Sequence, residues 1–151
     1  MREVKLILVP VDFSEGSEAA ARYAFWLAGR LGARVRLLHA FAGLSHASAG
    51  VAPGLRDDLR EAEDQLRQEA RRSLADLAGR LAREAGAAAE EPVFVEAGPA
   101  VGDGIVRGAR DAKADLIVIG THGRSGLRRM VLGSVAETVT RAADSPVLVV
   151  K

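Results

Sequence analysis

The chain has 151 residues, 48% of them hydrophobic and only 4% aromatic, and 21 basic against 20 acidic residues give a net charge of +1. That length suits one domain around a single core, built here mainly from Val, Leu, Ile and Ala. The absence of cysteine excludes disulfides, thiol catalysis and thiolate metal sites, and the balanced charge gives no support for a general nucleic-acid surface.

The amino terminus, Met1-Arg2-Glu3-Val4-Lys5, is charged where a signal peptide needs an apolar core. No stretch approaches the roughly 18 apolar residues of a membrane span, so a soluble, cytoplasmic protein without a membrane partner is expected. Leu6 to Val11 is a continuous apolar run, as in a strand buried on both faces. Pro10 belongs at its end, because proline cannot donate to a central ladder. After Asp12-Phe13, Ser14 fits an N-cap, with Glu15 and Glu18 in the favourable first turn. Ala20, Tyr23, Ala24, Leu27 and Leu31 then recur at helical spacing until Gly32. Val35 to Phe41 is the second strand, and Ala42 to Gly54, rich in Gly, Ala and Ser, reads as a mobile loop.

Leu55 to Ala85 is the longest periodic segment. Leu55, Leu59, Ala62, Leu66, Ala70, Leu74, Leu77 and Leu81 step by three or four, which predicts an amphipathic helix, packed on the sheet in preference to a coiled-coil partner. Val93 to Val95 is a short third strand, Gly98-Pro99 turns the chain, and Val101 to Ala112 reads as a helix weakened by Gly102, Gly104 and Gly108. Those glycines miss the dinucleotide fingerprint, since its third position falls on Arg107.

Leu116 to Ile119 is a fourth strand ending at Gly120. After it come Gly123, Arg124, Gly133-Ser134-Val135, a helix to Ala143, a break at Asp144-Ser145-Pro146, and a last strand, Val147 to Val150. Two readings of this stretch stand side by side. Gly120 and Gly123 can take positive φ and lie against a ligand, while the free N–H groups at the helix start near Ser134 favour an anion. Alternatively, Ser134-x-x-Glu137 is a capping box, Gly133 only turns the chain and Gly120 only ends a strand.

The alternation of strands and helices predicts an α/β fold, a single doubly wound five-stranded parallel sheet with helices on both faces. Ligands of such sheets bind outside the carboxyl ends of the strands, where the strand order reverses. The end of strand one (Pro10, Val11, Asp12) and the end of strand four (Gly120 to Gly123) meet at that crevice. No internal repeat or linker divides residues 1–151.

Over essentially its whole length the chain resembles the universal stress protein family, in the subgroup that binds ATP. The resemblance rests on Gly120, two residues, Gly123, nine residues, then Gly133-Ser134, with Val9-Pro10-Val11-Asp12-Phe13-Ser14 near the start and Ser145-Pro146-Val147-Leu148-Val149-Val150 at the close. It implies strand order 3-2-1-4-5 and a site for ATP, ADP or AMP with Mg²⁺. It also implies that Asp12 contacts the ribose or a phosphate-bound Mg²⁺, and that backbone near Pro10, Val11 and Ala40 faces the adenine. Gly120, Gly123, Gly133, Ser134 and Val135 are implied around the phosphates, and Arg124, more than Arg128 or Arg129, meets them.

His39 reads as a half-buried strand residue, His122 as a brace for the loop, and His46 has no recognisable partners; none is assigned catalysis. The sequence holds no metal-ligand spacing, no Walker lysine and no nameable base for hydrolysis, so a non-enzymatic regulatory binder is expected. The resemblance leaves slow hydrolysis or autophosphorylation open, with Ser134 a candidate acceptor. The rival function is a nucleotide-free dimeric adaptor. A receiver domain wants an aspartate where Glu96-Ala97-Gly98 stands, and a flavodoxin wants a hydroxyl-rich loop with flanking aromatics. If the last strand lies at the sheet edge, Val147 to Val150 invites pairing, and a twofold homodimer through it is expected.

Overall fold

The computed structural model describes residues 3–41, 43, 52–98, 100–121 and 132–151. In chain order the elements are β1 (Leu6–Pro10), α1 (Glu15–Leu31), β2 (Arg34–Phe41), α2 (Pro53–Ala85), β3 (Ala88–Ala89), β4 (Val93–Glu96), α3 (Val101–Asp111), β5 (Leu116–Gly120), α4 (Ser134–Ala142) and β6 (Val147–Val150). Every strand pair is parallel. The order is β3-β2-β1-β5-β6, with β4 also on β2. The expected five-strand order is therefore present as β4-β2-β1-β5-β6, and a sixth strand is added.

The extra strand comes from one edge that breaks in two. β3 pairs Ala88 with Arg34, whereas β4 pairs Val93 with Leu38, so one more residue is accommodated on the edge than on β2. The Glu90 N–H still reaches the Val35 carbonyl at 2.8 Å, and then Pro92, with no N–H to give, interrupts the ladder. Glu90 also forms ion pairs with Arg34 and Arg36 of β2.

Two apolar layers sandwich the sheet. On one face α1 and the end of α2 cover Ile7, Val9, Val35, Leu37 and Val118. On the other, α3 and α4 cover Leu8, Leu38, Ile117 and Ile119. The buried face of α1 is Ser17, Ala20, Ala21, Ala24, Phe25 and Ala28, rotated from the stripe that the spacing suggested. Tyr23 and Leu31 are exposed, and the Tyr23 ring meets Trp26, over which Arg30 stacks at 4.2 Å. Small alanines let the helix sit close on the sheet, and the large rings are left outside.

The long helix departs furthest from expectation. At 33 residues α2 runs about 50 Å, yet only Leu74, Leu77, Ala78 and Leu81 are buried. Leu55 and Leu66, expected on the sheet, are 55% and 65% exposed. The sheet below is shorter than the helix, so its first half has no strand to cover. Arg67 and Arg71 instead lie over the Phe41 and Phe94 rings at 4.5 and 4.6 Å.

α3 is helical despite its glycines because they form its contact face. A Cβ on Gly104 would lie 2.5 Å from the Ala97 Cβ, and one on Gly108 2.4 Å from Leu38 Cδ1. Three helices end alike, on a left-handed residue followed by an N–H bonded five residues back: Ala33 to Ala28, Ala87 to Ala82 and Ala114 to Ala109. The left-handed residue is Gly32 or Gly86 in the first two and Lys113, with φ 54°, in the third.

Candidate functional site

The carboxyl ends of β1, β2 and β5 open into a cavity of about 440 Å³, floored by Pro10, Ala40 and Ile119 and walled by α3 and the start of α4. This volume lies within the usual range for small-molecule sites. The cavity brings together Pro10, Val11, Asp12, Ala40, Gly120, Gly133, Ser134 and Val135 from the expected set. Gly123 and Arg124 lie outside the described residues, as do His46, His122, Arg128, Arg129 and most of the segment from 42 to 51.

The β1–α1 turn is built by side chains. Asp12 Oδ1 accepts from the Ser14 N–H at 3.1 Å and from the Ser14 hydroxyl at 2.5 Å. Ser14 Oγ in turn accepts the Ser17 N–H at 3.2 Å, which makes it the N-cap of α1 as its position predicted. Buried Ser17 closes the knot, donating to the Ser14 carbonyl at 3.0 Å and accepting from the Asp12 N–H at 3.3 Å. Inside this knot Phe13 has φ 63°, a left-handed conformation costing a bulky residue about 1–3 kcal/mol. The Asx-type bonds around it hold it there.

Across the cavity, the β5–α4 side is built by missing side chains. Gly120 ends β5 in extended conformation, as the second reading had it, without the positive φ of the first. Its need is steric: a Cβ would stand 2.6 Å from the Gly16 carbonyl oxygen in the first turn of α1. The Gly133 N–H donates to the Thr121 carbonyl at 2.9 Å, so the chain leaves the sheet and returns at one point.

The capping box that one of the two readings placed at Ser134 and Glu137 does not form. Gly133 is the N-cap, with φ −61° and ψ 150°, and no side chain caps α4. Ser134 is the first helical residue instead. The Glu137 carboxylate turns along the helix to Arg141 at 2.5 Å. The result is a helix start whose first-turn N–H groups have no side-chain acceptor among the described residues and whose residues, Gly133 to Ala136, line the cavity.

His39 is half-buried as expected, and its Nδ1 lies 2.7 Å from the Val11 carbonyl oxygen. Sequence reading missed Ser17, His39, Phe41, Val101, Ile105, Ile119, Thr121 and Ala136 as lining residues. Val101 and Ile105 carry no local signal, because only the packing of α3 brings its first turns over the strand ends. Ser17 does carry one, being the polar residue on an otherwise alanine-rich face. Among the described residues no cluster of His, Asp or Glu could hold a metal ion by itself, and no helix is long and apolar enough to cross a membrane.

The model of the universal stress protein family matches residues 3–151. Universal stress protein MJ0531 of Methanocaldococcus jannaschii is 37% identical over 152 residues, covering 97% of this chain and 82% of the relative. The structure of universal stress protein UspA from Lactobacillus plantarum superposes with a TM-score of 0.82 at 25% identity, covering both chains fully. That of the universal stress protein from Archaeoglobus fulgidus in complex with dAMP has a TM-score of 0.62 at 26% identity, again over all of both chains.

Proposed function

This chain belongs to the universal stress protein family, and on that footing we propose that it is a regulatory stress-response protein that binds ATP, ADP or AMP in the crevice between β1 and β5. The observation that carries the proposal is the start of α4, a helix end without a side-chain cap among the described residues, facing a cavity with an apolar wall. A relative of the same fold is described with dAMP, an adenine nucleotide with one phosphate.

In this reading the N–H groups of Ser134 and Val135 take a phosphate, and the adenine lies against Ala40, Val101 and Ile105. One exposed helix end contributes only about 0.3–1 kcal/mol toward an anion, so Gly123 and Arg124 are assigned to the phosphates as well. Asp12 is the only carboxylate among the described lining residues. It is assigned to the ribose or to Mg²⁺, which it could serve as a single carboxylate with phosphate oxygens and water completing the shell. No residue is assigned catalysis. Nucleotide occupancy acts by changing conformation or the choice of partner.

The test is a thermal or chemical denaturation series with Mg-ATP, ADP, AMP and cyclic AMP, beside mass spectrometry of small molecules released from the purified protein. A nucleotide that binds only the folded state stabilises it by about 2.7 kcal/mol at 100 times its Kd. Lack of any shift and any released nucleotide makes the protein a nucleotide-free adaptor.

The proposal includes a twofold dimer through β6. Its partner in the sheet is β5, and Val147 to Val150 are half-buried along the outer edge. Sedimentation should show a dimer at micromolar concentration, and Leu148→Lys should shift it to monomer. A wild-type monomer removes this part of the proposal and leaves the nucleotide site standing.

A further inference from the structure

We propose that His39 is a positioning residue for the crevice, one that pins Asp12 by holding the residues on both sides of it. This rests on the nucleotide reading for its functional consequence but not for its geometry. β1 ends at Pro10, yet the Val11 N–H still reaches the Leu38 carbonyl of β2 at 2.8 Å. The Val11 carbonyl is met by a side chain, His39 Nδ1 at 2.7 Å. A carbonyl oxygen only accepts, so this ring nitrogen carries the proton, and neutral His39 is the Nδ1–H tautomer.

The same imidazole packs against Phe13, with ring centroids 5.2 Å apart. Val11 and Phe13 flank Asp12. One ring therefore bonds the residue before the carboxylate and packs on the residue after it, which is also the residue held at φ 63°. The ring has a second aromatic neighbour. Phe94 of β4 meets it edge-on at 6.1 Å, and Arg71 of α2 covers Phe94 at 4.6 Å. A strained turn keeps its shape only while its surroundings over-determine it. The Asp12–Ser14–Ser17 bonds constrain it from the helix side, and His39 supplies the constraint from the sheet. Without His39, Phe13 can relax toward negative φ and carry the Asp12 carboxylate away from the cavity.

The experiment compares His39→Leu, His39→Asn and His39→Gln in the full chain, by calorimetry with Mg-ATP and AMP and by NMR of the nucleotide-free proteins. The Asn amide nitrogen sits where Nδ1 does and can still donate to Val11, whereas the Gln amide sits where Nε2 does. The expected result is the Nδ1–H tautomer in the wild type and about a tenfold loss of affinity in His39→Leu, the size of one lost hydrogen bond. Most of that loss should be recovered by Asn and little of it by Gln. The backbone amide shifts of Asp12 to Ser14 should move in Leu and Gln and return in Asn. An Nε2–H tautomer overturns the proposal, as does wild-type affinity in His39→Leu. Recovery by Gln as good as by Asn, or by neither, does the same, because then ring volume or a direct ligand contact is at work. If His39→Leu does not fold, the tautomer and the Asn–Gln pair decide. If the wild type binds no nucleotide, the function fails while the tautomer and the amide shifts still decide the positioning.

Discussion

Two helices, α1 and α4, start at the same crevice and finish their first turns in opposite ways. α1 is closed by its own side chains: Ser14 takes the Ser17 N–H, and Glu15 and Glu18 supply negative charge where the helix dipole favours it. α4 begins on Gly133, which has nothing to cap with, and its one acidic residue in that turn reaches forward to Arg141. The difference divides the work of the site. The α1 side presents a carboxylate and repels an anion, while the α4 side presents N–H groups and invites one. A ligand with a phosphate at one end and a sugar or metal ion at the other suits that polarity.

The two sides also fail differently, and substitutions can separate them. The largest effect is expected on the side built from missing side chains. Gly120→Val puts its new atoms against the Gly16 backbone, which cannot rotate away as a side chain can. Overpacking of this kind should cost about 3 kcal/mol in urea denaturation; wild-type stability would mean that α1 and β5 are not in tight contact.

The side built from hydrogen bonds should lose less and lose it selectively. Asp12→Ala removes the acceptor that orders Ser14, at about 1–2 kcal/mol of stability by analogy with a lost cap. Asp12→Asn keeps an acceptor oxygen and should hold stability within about 0.5 kcal/mol. It removes the charge, so Mg-ATP affinity measured by calorimetry should still fall. Equal stability loss in both variants would show that the charge, not the hydrogen bonds, shapes the turn.

The smallest effect tests whether left-handed strain matters away from the crevice. Lys113 occupies the position that Gly32 and Gly86 hold at the other helix ends. Lys113→Gly should stabilise by up to about 1 kcal/mol, partly offset by the entropy of glycine in the unfolded chain. A gain here, set against loss of nucleotide affinity in Phe13→Gly, would mark the strain at Phe13 as serving the site.

Much of this was legible beforehand. The apolar runs at Leu6, Val35, Leu116 and Val147 became strands, Ser14 capped α1, and Gly32 ended it, because each of these depends on neighbouring residues alone. The expected crevice residues that fall among the described ones do line one cavity. The errors share a cause. Ser134 had the residue type and spacing of a cap, yet the Gly133–Thr121 bond starts the helix one residue earlier. Gly120 ends its strand as one reading had it, but the other reading, a residue chosen for its φ, fails, because the approach of α1 is what excludes a side chain there.

The sequence by itself determined the alternation of strands and helices, the capped start of α1 and the stretches that border the crevice, since hydrophobic period, caps and turn residues act over a few positions. Tertiary structure alone decided which face of α1 is buried, how little of α2 finds a sheet to cover, and that His39 grips the chain on both sides of Asp12. Burial and long-range contact depend on the size and position of a surface contributed by distant segments, and no local pattern records how far that surface extends.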